Sequence, residues 1–228
     1  MKKLPFLLSM IVVLSLVIPG TGQEFYIGAT GGMNIAEMKI TGDGEEQEES
    51  PLNRLGIGGV FGVRFDDNFS LQLRPLYLQK GGTLDQDSPS PDIDFRTSFI
   101  ELDLSLKAAT GNTIRPYILA GPSIGFLMTS ELEFDLAGNK VKGDITDISK
   151  KTEYSLGIGA GVEYSFWNGF LFVEGRYLHG LNNLNKGGVV ELKVNGLVAG
   201  TQEIANDDVY KNRGFQIMAG FALPLGKK

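Results

Sequence analysis

The sequence predicts an all-β fold, an eight-stranded antiparallel up-and-down transmembrane β-barrel with short periplasmic turns and long extracellular loops. Three observations predict it. Apolar and polar residues alternate with period two through most of the chain, and helical periodicity is absent. The connections between the alternating runs are short and long in turn. Glycine is abundant, 31 of 228 residues against a usual share of about 7%, and many strand glycines share the polar face.

At the N-terminus, Met1-Lys2-Lys3 precedes an apolar run from Leu4 to Ile18, and Pro19-Gly20-Thr21-Gly22 supplies small residues suited to cleavage. A basic start, an apolar run of about 15 residues and a small-residue site form a secretory signal rather than a membrane span. Residues 1–22 are therefore expected to be a signal peptide, and residues 23–228 one outer-membrane β-barrel domain. No later stretch reaches the ~20 consecutive apolar residues of a transmembrane helix. The chain lacks cysteine, so disulfides, thiolate metal sites and a lipid-modified anchor are excluded. Without Lys2 and Lys3, 19 basic residues stand against 27 acidic ones, which argues against nucleic acid as a partner.

Eight runs follow, at residues 24–37, 55–65, 69–80, 96–110, 113–129, 152–166, 170–182 and 212–224. The third puts Phe69, Leu71, Leu73 and Tyr77 on one face and Ser70, Gln72 and Arg74 on the other. The fourth alternates Ile100, Leu102, Leu104, Leu106 and Ala108 with Glu101, Asp103, Ser105 and Lys107. In the sixth, Leu156, Ile158 and Val162 alternate with Glu153, Gly157, Gly159, Gly161 and Glu163; in the seventh, Leu171, Val173 and Tyr177 alternate with Phe172, Glu174 and Arg176. Asp66-Asp67-Asn68, Gly111-Asn112 and Trp167-Asn168-Gly169 are tight hairpin turns, whereas 38–54, 81–95, 130–151 and 183–211 read as long loops. Two of those loops alternate around Gly138-Asn139 and Asn195-Gly196, so each is expected to contain a hairpin that extends the wall beyond the membrane.

Period two does not say which face points inward. The glycines do. Gly28, Gly32, Gly56, Gly58, Gly62, Gly157, Gly159, Gly161 and Gly220 share the more polar face. On a water-exposed exterior they would only weaken the strands. Inside an eight-stranded barrel, just wide enough for side chains, small residues must alternate with long ones. The polar face is therefore the lumen and the apolar face meets lipid. Phe65, Phe69, Tyr164, Phe166, Trp167 and Phe170, with Phe25 and Tyr26 at the same end, are expected to form an aromatic girdle at the membrane boundary. Arg74, Glu101, Asp103, Lys107, Glu163, Glu174 and Arg176 are expected in a structural lumen ion-pair network, with Arg64 and Arg115 as further counter-charges.

Four stretches carry a family likeness: Tyr26-Ile-Gly-Ala-Thr-Gly-Gly-Met-Asn-Ile35, Gly157-Ile-Gly-Ala-Gly-Val-Glu-Tyr164, Phe172-Val-Glu-Gly-Arg-Tyr177 and Asn212-Arg-Gly-Phe-Gln-Ile-Met-Ala-Gly-Phe221. Through them the chain resembles the PorT-like outer-membrane β-barrel proteins common in Bacteroidetes. The resemblance implies an eight-stranded barrel in the cell outer membrane. One founding member is linked to protein secretion, and no residue of this chain carries that link over. Such barrels often end on an aromatic, whereas this chain ends Leu223-Pro-Leu-Gly-Lys-Lys228.

Motifs for chemistry are sparse. Gly157-x-Gly159-x-Gly161 lacks the helix and the spacing of a dinucleotide loop and fits the lumen face. His179, the sole histidine, faces outward by parity and has no serine close by of the kind used by lipid-facing deacylase barrels. The acidic stretch 43–49, with Asp85, Asp87, Asp92 and Asp94, matches no Ca²⁺-loop spacing and reads as solvated loop. No catalytic residue, cofactor or metal is expected, and the chain is read as not an enzyme. The expected function is a structural or binding barrel, or part of a secretion or surface assembly, acting through its extracellular loops. Its expected partners are outer membrane lipid and a protein at those loops, with the barrel itself monomeric. The alternative is a membrane-embedded, lipid-modifying enzyme or a narrow channel.

Overall fold

The computed structural model describes residues 23–42, 45–46, 49–84, 91–136, 138–194, 197–205 and 208–226. The signal segment 1–22, most of the acidic stretch 43–49, Asp85, Asp87 and the Asn195-Gly196 turn lie outside the described residues. The strands among those described are β1 Glu24–Gly42, β2 Glu45–Glu46, β3 Glu49–Arg64, β4 Phe69–Leu84, β5 Ile93–Ala109, β6 Ile114–Leu136, β7 Asn139–Asp144, β8 Thr152–Phe166, β9 Gly169–Gly180, β10 Gly188–Val194, β11 Leu197–Ile204 and β12 Val209–Leu225. Eight of them close a ring in the order β1-β3-β4-β5-β6-β8-β9-β12, each antiparallel to its neighbours. The ring closes where Phe25 of β1 meets Leu225 of β12, so the membrane wall has no unpaired edge.

At the end that holds the termini the turns are tight. The Asp66 carboxylate accepts the N–H groups of Asn68 and Phe69, both at 2.7 Å, and fixes the β3–β4 turn. In the β8–β9 turn Trp167 adopts φ 41° and is fully exposed. By the usual orientation of such barrels this end is periplasmic and the opposite end extracellular.

The wall is longer than the sequence pattern suggested. β1, β4, β5, β6 and β12 have 16 to 23 residues, against the ~9–11 needed to cross a bilayer at a tilt. Much of 38–54, 81–95 and 130–151, read above as loop, is strand. The reason lies in a change of polarity along each strand. On β5 the outward series Ala108, Leu106, Leu104, Leu102, Ile100 is succeeded by Ser98, Arg96 and Asp94, while the inward series Lys107, Ser105, Asp103, Glu101 gives way to Phe99, Thr97 and Phe95. Below the switch the wall stands in lipid and is apolar outside. Above it the wall stands in water and is apolar inside.

The upper apolar face builds a second core: Met38, Phe95, Leu132, Ile145 and Val190 are buried together. The lower core, Tyr26, Val60, Ala109, Tyr117, Leu119, Phe170, Phe172 and Ala222, floors the lumen at the periplasmic end. Tyr26 and Phe170 thus correct the expected girdle. They point inward and meet edge-to-face at 5.2 Å, whereas Phe25, Phe69, Tyr164 and Trp167 are exposed as a girdle requires.

Candidate functional site: the lumen and the projecting sheet

Inside the ring, large side chains face glycines on the adjacent strand. Gly159 is the cross-strand partner of Arg176, and a Cβ there would stand 2.6 Å from the Arg176 side chain. Gly62 makes the same room for Tyr26, and Gly220 for Phe172. This sets where charges fit.

The seven residues expected in one network fall into three groups stacked along the lumen. In the middle, Arg74 pairs with Asp103 at 3.1 Å and with Glu174, while Arg176 pairs with Asp103 at 2.6 Å. Ser105 donates to Asp103 at 2.7 Å and Tyr117 to Glu174 at 2.9 Å, and all four charged side chains are buried. Toward the periplasm, Lys107 pairs with Glu163, whose second oxygen stands 3.3 Å from Arg115 and 3.6 Å from Arg64. Lys107 also lies 3.8 Å from the centroid of the Tyr117 ring, a cation–π contact. Toward the outside, Glu101 is held by Lys80 at 2.6 Å, and Lys80 reaches Glu153 at 3.1 Å. Lys80 and the pairing role of Glu153 were missed from sequence, although Glu153 was read on the polar face and Lys80 shares the parity of Arg74.

Little space remains between these groups. A cavity of about 20 Å³ lies under the upper core, lined by Met38, Thr97, Phe99, Ile145 and Tyr210. Another of about 10 Å³ is lined by Asn34, Lys80, Glu153, Ser155 and Asn212. Each has room for about one water. Gln216 is fully buried and neither of its side-chain amide atoms has a protein partner.

Outside the membrane, β6 and β7 form the hairpin expected around residue 138. Leu136 pairs with Asn139, so Asn139 opens β7 instead of lying in the turn. β10 and β11 form the second hairpin, with a bulge between Leu192 and Lys193. No local pattern in the chain signals that β10 pairs with β7, through Leu192–Gly143, Lys193–Lys142 and Val194–Val141. The two hairpins thereby become one sheet, β11-β10-β7-β6, that continues the barrel wall upward. Its outer face carries an acidic centre. Glu133 meets Lys140 at 3.0 Å and Lys142 and Arg96 each at 3.3 Å.

Residues 21–186 match the family of the outer membrane protein beta-barrel domain. The chain belongs to that family. It is a barrel of the outer membrane, and its lipid-facing band is the apolar exterior described above. Three solved structures are similar to this chain. A major outer membrane protein from Thermus thermophilus has 10% identity and a TM-score of 0.55, over 90% of this chain and 100% of that one. OprG from Pseudomonas aeruginosa has 12% identity and a TM-score of 0.49, over 90% and 97%. The outer membrane protease OmpT from Escherichia coli has 12% identity and a TM-score of 0.42, over 92% and 99%. At such identities the likeness shows the fold alone. No curated protein matches the sequence.

These comparisons overturn one expectation. The chain was read as not an enzyme because no catalytic signature was visible, but an outer membrane protease is among the structures it is similar to. The lack of a recognised motif therefore excludes no activity. His179 is exposed on the lipid side of the wall, with its ring 6.4 Å from that of Tyr177.

Proposed function

We propose that this outer-membrane barrel acts at the cell surface as a binding or assembly protein that holds an extended segment of a protein partner on its projecting sheet. The observation that carries this reading is β11. It ends the sheet order β11-β10-β7-β6, pairs among the described strands with β10 alone, and is exposed from Leu197 to Glu203. A free edge of this length is a template for strand addition, and proteins usually guard such edges with lysine or proline. β11 has neither. Upper-core burial of Leu132 and Val190 holds the sheet in place, so the partner meets a formed edge. Residues 130–148 and 187–204 are the contact region, and the assembly served is a secretion or surface complex.

The lumen in this reading is a structural plug of paired charges between two apolar layers, and the barrel is a monomer. In the same reading residues 1–22 are the signal peptide that directs export, and the likeness of the stretches quoted above supports a PorT-like barrel.

A photo-crosslinker at Gly200, whose side is open, should capture one defined protein on intact cells. Proline at Thr201 and, separately, at Gln202 provides the test, since successive N–H groups of a strand point to opposite sides. The proline on the free side should abolish capture while leaving heat-modifiable migration unchanged. If neither proline alters capture, partner binding does not use this edge.

A further inference from the structure

Just above the lipid band, the wall is charged at the seam between β1 and β12. On β1 and β12 the outward residues above Ile35 and Phe215 are Glu37, Lys39, Arg213 and Lys211. Their register pairs Glu37 with Arg213 and Lys39 with Lys211, and Arg213 is also the cross-strand partner of His179 on β9. The first outward residues above the band on β3, β4, β5 and β8 are Asn53, Gln79, Ser98 and Thr152, all uncharged, and one step higher β5 and β6 carry the opposed charges Arg96 and Glu131. A chain with formal charge −6 therefore places three cations against one carboxylate over two adjacent strands at the level of the outer-leaflet headgroups.

We propose that Lys39, Lys211 and Arg213 bind a phosphate of the phosphorylated glycolipid that forms the outer leaflet. Glu37 neutralises only part of the cluster: it holds Arg213 at 2.7 Å, and that pair stays partly exposed. Lys39 and Lys211 stand directly opposite each other, about 5 Å apart at Cβ, which brings two basic side chains to one place on the wall beside Arg213. Lys39 also has a protein partner of its own, so Lys211 and Arg213 carry the test. Directly below, Met33, Phe215 and Tyr177 are exposed in the apolar band, where the acyl chains of the same lipid would lie. An apolar track leading up to a basic cluster fits a lipid phosphate better than a soluble anion, which gains nothing from the track.

Native mass spectrometry of the full detergent-purified barrel tests this, with diphosphoryl lipid A and its dephosphorylated form as probes. The double variant Lys211→Gln/Arg213→Gln should retain the diphosphoryl lipid roughly 25-fold less well, since each basic group near an anionic lipid surface is worth about 1 kcal/mol. The dephosphorylated lipid should bind both proteins equally, and Arg213→Lys should restore most of the loss. Lys211→Gln alone, which keeps the Glu37–Arg213 pair, serves if the double variant fails to fold. Equal retention of the diphosphoryl lipid by wild type and variants overturns the proposal. So does an equal loss in Lys140→Gln, which would make the effect one of general surface charge, or full displacement of the lipid by inorganic phosphate, which would make this a free-anion site.

Discussion

Tyr117 of β6 and Gly161 of β8 are cross-strand partners, and the tyrosine fills the space that a side chain at 161 would need. A Cβ built on Gly161 would lie 2.5 Å from the ring and 2.5 Å from the Val173 carbonyl oxygen. Tyr117 cannot simply swing away, because its hydroxyl donates to Glu174 and its ring takes the Lys107 cation. Gly161→Ala should therefore destabilise the barrel by about 1–3 kcal/mol, as overpacking does in a filled core. Urea unfolding in lipid vesicles measures this. Gly200→Ala is the control, with nothing within 4 Å of the new methyl, and should be silent. A neutral Gly161→Ala would mean that the lumen is looser than its packing implies.

Period two made the membrane part of this fold legible. Glycines opposite Tyr26, Tyr117, Phe172 and Arg176 were readable as a crowded interior because small and large residues share one parity. What parity cannot carry is the meaning of a face once the solvent changes. Phe95 and Glu101 lie on the same inward side, yet one belongs to a core under water and the other to a charged lumen. That reversal disguised the upper strands as loops. Pairing across the lumen was also hidden: Lys80 and Glu153 are 73 positions apart, and nothing local links them. The same holds for β7 and β10, which meet where Gly143 leaves room for Val190 and Leu132 of the upper core.

The polarity switch locates the membrane and can be tested by charge. Ile158 is 64% exposed in the middle of the apolar band, and Thr152 lies at the upper end of the same strand. Lysine at a bilayer midplane costs about 2–4 kcal/mol in a barrel wall and only about 0–1 near the interface. Ile158→Lys should impair folding into vesicles strongly, and Thr152→Lys hardly at all. Similar costs at both positions would show that the band has been placed at the wrong height.

The extracellular sheet should respond to acid. Glu133 is held below the usual carboxylate range first by the hydrogen bond from Lys140; burial opposes this next, and Lys142 and the nearby Arg96 add to the lowering. Its folded-state pKa is thus lower than its unfolded value of about 4.3. The stabilisation is fully present at neutral pH and is lost as pH falls through the folded value. Pepsin cleavage within 130–148, corrected for the activity of the protease, should accelerate as pH drops below about 4. In Glu133→Gln that acceleration should vanish. If the variant keeps the same pH profile, another group controls the sheet.

The strongest dependence should come from charge balance in the middle of the lumen. Asp103 accepts from Arg176 at 2.6 Å, from Arg74 at 3.1 Å and from Ser105 at 2.7 Å, and Arg74 also serves Glu174. Two guanidinium groups balance two carboxylates in a space closed to solvent. Arg176→Met leaves both carboxylates to Arg74 alone, an uncompensated buried charge that costs about 3–5 kcal/mol. Adding Asp103→Asn restores the balance, so the double variant should be more stable than Arg176→Met although it has lost one more native group. Planar-bilayer recordings complete the test, because a lumen filled in this way should show no large stable conductance in the wild-type protein. A double variant no better than the single one would show that shape, not charge, sets the cost. An open, steady wild-type conductance would refute the plug.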